Sequence, residues 1–196
     1  MSGHVMRRPS SLSRWLHTYL SMASFAILFF FAVTGLTLNH TEWIAGLQRT
    51  AQAKGCVRPE WVRGAQVAKL EVVEHLRNTH QVRGALSDFR IDETQCWVSF
   101  KGPGYSADAF IDRATGRYDL METRNGFVAV INDLHKGRDS GRRWSLLIDV
   151  SAVLMTLVSL TGIFLILLLK RYRATGLAAA ALGTLASLLV YVYWVP

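Results

Sequence analysis

Apolar positions in this chain are gathered into blocks rather than spread along it. Three blocks stand out: Leu16 to Leu38, Trp144 to Leu169, and Leu177 to Val195. A helix of about 20 apolar residues crosses a hydrocarbon core, so each block predicts a transmembrane helix. The first runs through LSMASFAILFFFAVTGLTL with no ionisable residue, and the second holds one, Asp149, near its start. The predicted spans are 14–40, 144–169 and 177–195, with a polar tail over 1–13 and a short loop over 170–176.

Between the first two blocks lies a polar stretch of about 100 residues, long enough for a small folded domain. Residues 41–63 read as a helical continuation and then a linker broken at Gly55 and Pro59. From Ala65 to Arg77 the apolar residues Val67, Leu70, Val73 and Leu76 fall at helical spacing. After Gly84 the period changes to two. Phe89 and Ile91 mark one strand, and Trp97, Val98 and Phe100 a second. Ala107, Ala109 and Ile111 mark a third, and Tyr118 to Glu122 a fourth, with turns at Lys101–Gly104 and Asp112–Gly116. One helix packed on a small antiparallel sheet over 64–124 is the simplest arrangement. A connector over 125–143 follows, in which the apolar stretch Gly126 to Asp133 predicts a short helix leading to His135. The fold class is a three-helix membrane protein with an inserted α+β domain.

Charge orients this arrangement. The net charge is +8, and much of it flanks the apolar blocks. Arg7, Arg8 and Arg14 precede the first span, while Lys170, Arg171 and Arg173 lie between the second and third. The positive-inside rule assigns both sets to the cytoplasm. Lys136, Arg138, Arg142 and Arg143 would then lie outside, at the end of a long segment of the kind that translocates largely regardless of charge. The reading is a multi-pass protein of a bacterial inner membrane, with its N-terminus cytoplasmic and its middle domain and C-terminus periplasmic. The first apolar block is longer than the usual h-region of about 7–15 residues and no small-x-small cleavage site follows Leu38, which predicts a retained anchor. With no zinc-finger spacing and no basic–aromatic stripe, nucleic acid is not an expected partner. The third span, rich in alanine and small residues including Gly183 and Ser187, suits close helix packing within the chain or between protomers.

Six histidines are present. His4 lies in the tail, and His75 and His80 belong to the helix and turn of the soluble domain, where a solvated surface role is the default. His17, His40 and His135 each sit at a membrane boundary. On a straight helix His17 and His40 are about 34 Å apart, too far to share a ligand within one chain.

The helix and meander, with the strand–Asp112-Arg113-Ala114-Thr115-Gly116-Arg117–strand hairpin, resemble a PepSY domain. The flanking helices resemble PepSY-associated transmembrane proteins. That family typically carries a histidine near the start of a helix ending in Thr-Gly, here His17 with Thr34-Gly35. It also carries a Leu-His pair before a later helix with its own Thr-Gly, here Leu134-His135 with Thr161-Gly162. The resemblance covers about residues 12–170. The chain departs from larger members by its three spans and by lacking an appended flavin reductase domain. Larger relatives include haem-bearing reductases of ferric siderophores, so the resemblance implies electron flow from the cytoplasmic or quinone side to a periplasmic acceptor.

Two dispositions of the boundary histidines remain. They are interfacial residues that the membrane merely tolerates, or they are axial ligands of haem b, held on rigid helices with small residues making room for the macrocycle. In one haem arrangement His40 and His135 clamp one group near the periplasmic face. In a second, His17 binds a haem near the cytoplasmic face, with Thr161-Gly162 at about that depth on the antiparallel helix. Its second ligand would then come from a partner protomer in a homodimer, or be absent. Arg138, Arg142 and Arg143 are the natural partners for haem propionates. Asp149 is either half of a structural ion pair with Arg142 or Arg143, or part of a proton relay or propionate network. Cys56 and Cys96, the only cysteines, allow one intrachain disulfide in an oxidising compartment, or remain buried free thiols.

The leading function is electron transfer across the membrane to a metal, siderophore or flavin acceptor, at most as a reductase component. The alternative is a non-redox anchored module that binds or restrains a periplasmic partner, such as a peptidase or an uptake complex. Peptidase activity is not expected, because no catalytic triad, H-E-x-x-H motif or paired-carboxylate site is present. A transporter subunit is disfavoured because no midplane polar pathway exists.

Overall fold

The computed structural model describes residues 9–44, 46–64 and 66–196. His4, Arg7 and Arg8 lie outside the described residues. The described residues divide into two compact units, 30–148 and 9–29 with 149–196.

Three helices are long and apolar enough to cross a bilayer: α1 (Pro9–Asn39), α5 (Arg142–Leu168) and α6 (Arg173–Trp194). The first begins four or five residues before the predicted start, and the others match their apolar blocks closely. The α6 helix buries no side chain at all, with Leu182 66% and Tyr191 65% exposed. Such a helix is costly in water and stable in hydrocarbon, where every backbone group is satisfied internally. At its start Gly176 lets α6 turn back closely on α5, since a Cβ there would overlap Ile166.

The unit of residues 30–148 is built on a five-stranded antiparallel sheet. Its strands are β1 (Arg49–Cys56), β2 (Ala85–Ile91), β3 (Gln95–Gly102), β4 (Tyr105–Asp112) and β5 (Arg117–Arg124), in the order β1-β5-β4-β3-β2. Four of these are the predicted strands. The fifth, β1, occupies the segment expected to be helix and linker, where only a 3-10 turn (Thr41–Ile44) and the short α2 (Glu60–Arg63) are helical. RTAQAKGC carries no apolar alternation because β1 is an edge strand, mostly exposed, and it is held by pairing Arg49 to Cys56 against Arg124 to Arg117.

Strand periodicity sorts the core. Cys96, Val98 and Phe100 of β3, Ala107, Ala109 and Ile111 of β4, and Tyr118 and Leu120 of β5 all point to one face. There they meet Val72, Val73 and Leu76 of α3 (Lys69–His80). The β4–β5 hairpin owes its shape to the Asp112–Arg117 motif. Thr115 donates to Asp112 Oδ1 from its amide at 2.7 Å and from its hydroxyl at 2.6 Å. Arg113 then reaches out of the turn and donates to three carbonyls, those of Val62 (2.8 Å), Gly64 (2.8 Å) and Asp92 (2.7 Å). Gly116, with φ of +75°, sits where a Cβ would strike the Val57 carbonyl. The motif thus fastens the hairpin to the segment entering the helix.

Both cysteines are free. Of the two alternatives the sequence left open, a disulfide or buried free thiols, the strand order excludes the disulfide, and Cys56 is exposed rather than buried: β5 and β4 lie between β1 and β3. Three interstrand steps separate Cys56 from Cys96 by about 14 Å, against a limit of about 7 Å between bridged Cα atoms.

Candidate functional site

The final element of this unit, α4 (Phe127–Lys136), carries His135 one residue before its end. Sheet contacts fix its position. Gly104, in the β3–β4 turn, donates its amide to Asp133 Oδ2 at 2.8 Å, and the Asn125 amide donates to the Gly104 carbonyl at 2.8 Å. Gly137, in the left-handed region, ends the helix by donating to the carbonyls of Asp133 and Leu134. The Trp144 indole donates to the Leu134 carbonyl at 2.8 Å.

Two side-chain bonds join α4 to the end of α1. Thr37 donates to Asn132 Oδ1 at 2.6 Å, and Thr34 Oγ1 lies 2.6 Å from His135 Nδ1. Thr34 and Thr37, like Asn132 and His135, are three apart and so share a helix face. Phe31 meets the His135 ring edge-on at 4.9 Å.

The Thr34 hydroxyl also settles the proton on His135. It has one proton, and Oγ1 lies 2.6 Å from the Phe30 carbonyl, which can only accept. The hydroxyl therefore donates to Phe30 and accepts from the imidazole. Nδ1 of His135 is thus the donor to the threonine oxygen, and in the neutral ring the lone pair is on Nε2.

The same construction recurs in the other unit. His17 Nδ1 lies 3.0 Å from Thr161 Oγ1 of α5. Thr161 Oγ1 is 2.8 Å from the Leu157 carbonyl and 2.9 Å from that of Val158, so its proton is committed to its own helix. His17 is again the donor through Nδ1, with Nε2 left as a lone pair. Gly162 permits the approach: a Cβ there would stand 3.2 Å from His17 Cε1. Beside His135 the corresponding Gly35 is looser, with 3.8 Å to Cε1.

Each Thr-Gly pair therefore serves a histidine that is distant in sequence, His17 with Thr161-Gly162 and His135 with Thr34-Gly35. His40 does not join them. Its Nδ1 pairs with Glu42 at 2.9 Å, and its ring stacks on Trp43 at 4.2 Å with 4° between the planes. Arg138 lines a polar pocket with Lys101, Lys136, Asn132, Asp133 and Asp139. Arg142 opens α5 and Arg143 follows it, both exposed, and Asp149 is exposed as well. His75 and His80, expected to be solvated, are half-buried against Tyr118. Among the described residues, no three His, Cys, Asp or Glu side chains stand close enough together to hold a metal ion.

The PepSY_TM-like family model matches residues 11–196. The chain belongs to the PepSY_TM-like family. No curated protein and no solved structure matches it. The match spans all three apolar helices and the sheet between them, so the whole described arrangement is that of a membrane PepSY-associated protein.

Proposed function

We propose that this PepSY_TM-like protein binds haem b through His17 and His135 and passes electrons across a bacterial inner membrane to a periplasmic acceptor. The observation that supports this reading is the tautomer shared by the two imidazoles. Metal-ligating histidines generally donate the ring N–H that is not bound to metal to a neighbouring acceptor, which fixes tautomer and ring orientation. At both sites a threonine oxygen is that acceptor, and Nε2 is the nitrogen left to ligate. Each unit therefore offers a separate imidazole suited to an iron porphyrin, on a helix with a glycine beside the ring.

Bound haem supplies reversible one-electron chemistry whose potential follows its axial ligands and surroundings. The chain's own residues do the rest. Thr34 and Thr161 accept the Nδ1 protons, so each imidazole is held in one orientation. Phe31 meets the His135 ring edge-on, and Trp144 meets the neighbouring Phe30. Arg138, Lys136 and the α5-leading Arg142 and Arg143 are the cations available to propionates. His40 contributes to this scheme only if it leaves Glu42 and Trp43. A further ligand to the iron would have to come from a partner protomer. Orientation follows from Arg14, Lys170, Arg171 and Arg173, which put the N-terminus inside.

Purified protein, expressed with ample haem, tests this by its visible spectrum. A Soret band with b-type bands on dithionite reduction is expected. Each of His17→Ala and His135→Ala should lose haem while His40→Ala keeps it. A colourless protein, or full retention in both alanine variants, overturns the proposal. The orientation is tested by a reporter after Pro196, expected to be active in the periplasm. A second reading, an anchored module holding a periplasmic protein, has its own support in the open face of the sheet. There Trp97 stacks on a half-exposed Phe110 at 6.2 Å with Arg90 over the indole. A colourless protein would favour it.

A further inference from the structure

The sheet unit holds a second group of ligating side chains, independent of the haem reading. Tyr118 of β5 is 3% exposed, and its ring lies over Gly55 of β1, where any Cβ would overlap the phenol oxygen. Two imidazoles of α3 converge on that oxygen. His80 Nε2 is 2.7 Å from it and His75 Nε2 is 3.5 Å from it. Both rings meet the phenol edge-on, with centroids 5.6 Å and 6.0 Å away. Trp61 closes the far side of His75 at 6.0 Å. Gln81, in the left-handed region at φ of +56°, ends the helix directly after His80 and so fixes the register of the pair.

The phenol can donate its proton to one imidazole and accept an N–H from the other, so the three groups form a closed hydrogen-bonded triad. The same triad gathers two imidazole nitrogens and a phenol oxygen, donor types that a first-row cation takes. With imidazole ligands at about 2.0–2.1 Å, the edge between neighbouring ligands is about 2.9 Å in the square-planar arrangement that Cu2+ prefers and about 3.3 Å in a tetrahedral one. The observed 2.7 Å and 3.5 Å bracket both edges. Both histidines are half-buried, so an ion reaches them from solvent.

We propose that His75, His80 and Tyr118 form a site for a divalent first-row cation, with Cu2+ bound most tightly. Imidazole and phenolate suit copper, and the general affinity order peaks there. The imidazoles bind through Nε2 and keep their protons on Nδ1. Tyr118 releases its proton to solvent as the ion takes its place, so the bound site carries one proton fewer.

The test adds Cu2+ alone to the full chain in detergent, with equilibrium dialysis for stoichiometry and electron paramagnetic resonance for ligand type. One copper per chain is expected, with nitrogen splitting from two imidazoles. His75→Gln and His80→Gln should each weaken binding by at least about tenfold, at half-exposed positions whose replacement leaves the core intact. Tyr118→Phe should weaken it while keeping the nitrogen splitting. His135→Ala, which tests the haem reading, should leave copper binding unchanged. Absence of stoichiometric copper on the unmutated chain overturns the proposal whether or not a variant folds. Equal copper binding by the His75→Gln/His80→Gln double variant overturns it as well.

Discussion

Replacing Thr34 by valine isolates the hydroxyl that holds His135. Threonine and valine have nearly the same shape, and Thr34 is 1% exposed, so the exchange opens no cavity and adds no bulk. The Phe30 carbonyl loses a second hydrogen bond but keeps the helical one from residue 34, so little of the cost falls there. The loss is concentrated on the His135 Nδ1–H, which faces a methyl group where an oxygen stood at 2.6 Å. An unsatisfied buried donor costs about 1–3 kcal/mol. His135 is only half-buried, which reduces that to about 1–2 kcal/mol, or about 5- to 30-fold in an equilibrium that requires this ring orientation. Haem titrated into apoprotein should therefore bind the His135 site about 5- to 30-fold more weakly in Thr34→Val. Thr34→Ser, which keeps the hydroxyl, should recover most of the loss. Imidazole nitrogen resonances of the apoprotein should show an Nδ1–H tautomer at His135 that becomes mixed in the valine variant. Unchanged haem affinity in Thr34→Val, or an equal loss in Thr34→Ser, would refute the reasoning that the hydroxyl sets the ligand.

The two glycines beside the histidines should differ. Gly162→Ala forces the His17 ring outward by a few tenths of an ångström and should weaken haem at that site, whereas Gly35→Ala meets only ordinary contact and should leave the His135 site unchanged. Spectra of the two variants decide this. Gly55→Ala drives a methyl into the Tyr118 phenol and should destabilise the sheet by about 1–3 kcal/mol, read from denaturant melts. The exposed Cys56 should react with maleimide in the native protein, while Cys96, whose thiol is pushed up by burial, should react only after unfolding. Protection of both thiols until a reductant is added would contradict the strand order. The Thr115 hydroxyl, and then its amide, hold the Asp112 carboxyl below its ordinary value of 3.8. A depressed folded pKa contributes stability in full above the ordinary value and loses it as pH falls through the folded one. Asp112→Asn should therefore flatten the fall in melting temperature at acid pH, and an unaltered slope would show that the hairpin does not depend on this carboxylate.

The same division appears in how each feature could be read. The spans were legible because crossing a bilayer demands a local, uninterrupted apolar run, and β3 and β4 because one buried face imposes alternation on neighbouring residues. The edge strand β1 was not legible. RTAQAKGC buries almost nothing, and it is a strand because β5 offers it a row of backbone partners from Arg117 to Arg124, far along the chain. His40 and His135 looked like a natural pair because both follow or precede an apolar block. Glu42 and Trp43, only two and three residues beyond His40, offer it nearer partners.

What the sequence alone determined is therefore what short-range pattern can encode. That comprises three apolar helices, a helix with a meander between the first two, and the turn chemistry of Asp112 to Arg117; the two Thr-Gly pairs stood out only through the family resemblance. Only the tertiary structure decided which histidine each pair serves. That choice depends on the rotation and register of one helix against another. Each threonine proton is already committed to its own helix, so the geometry that brings the rings together also leaves Nε2 as the free nitrogen.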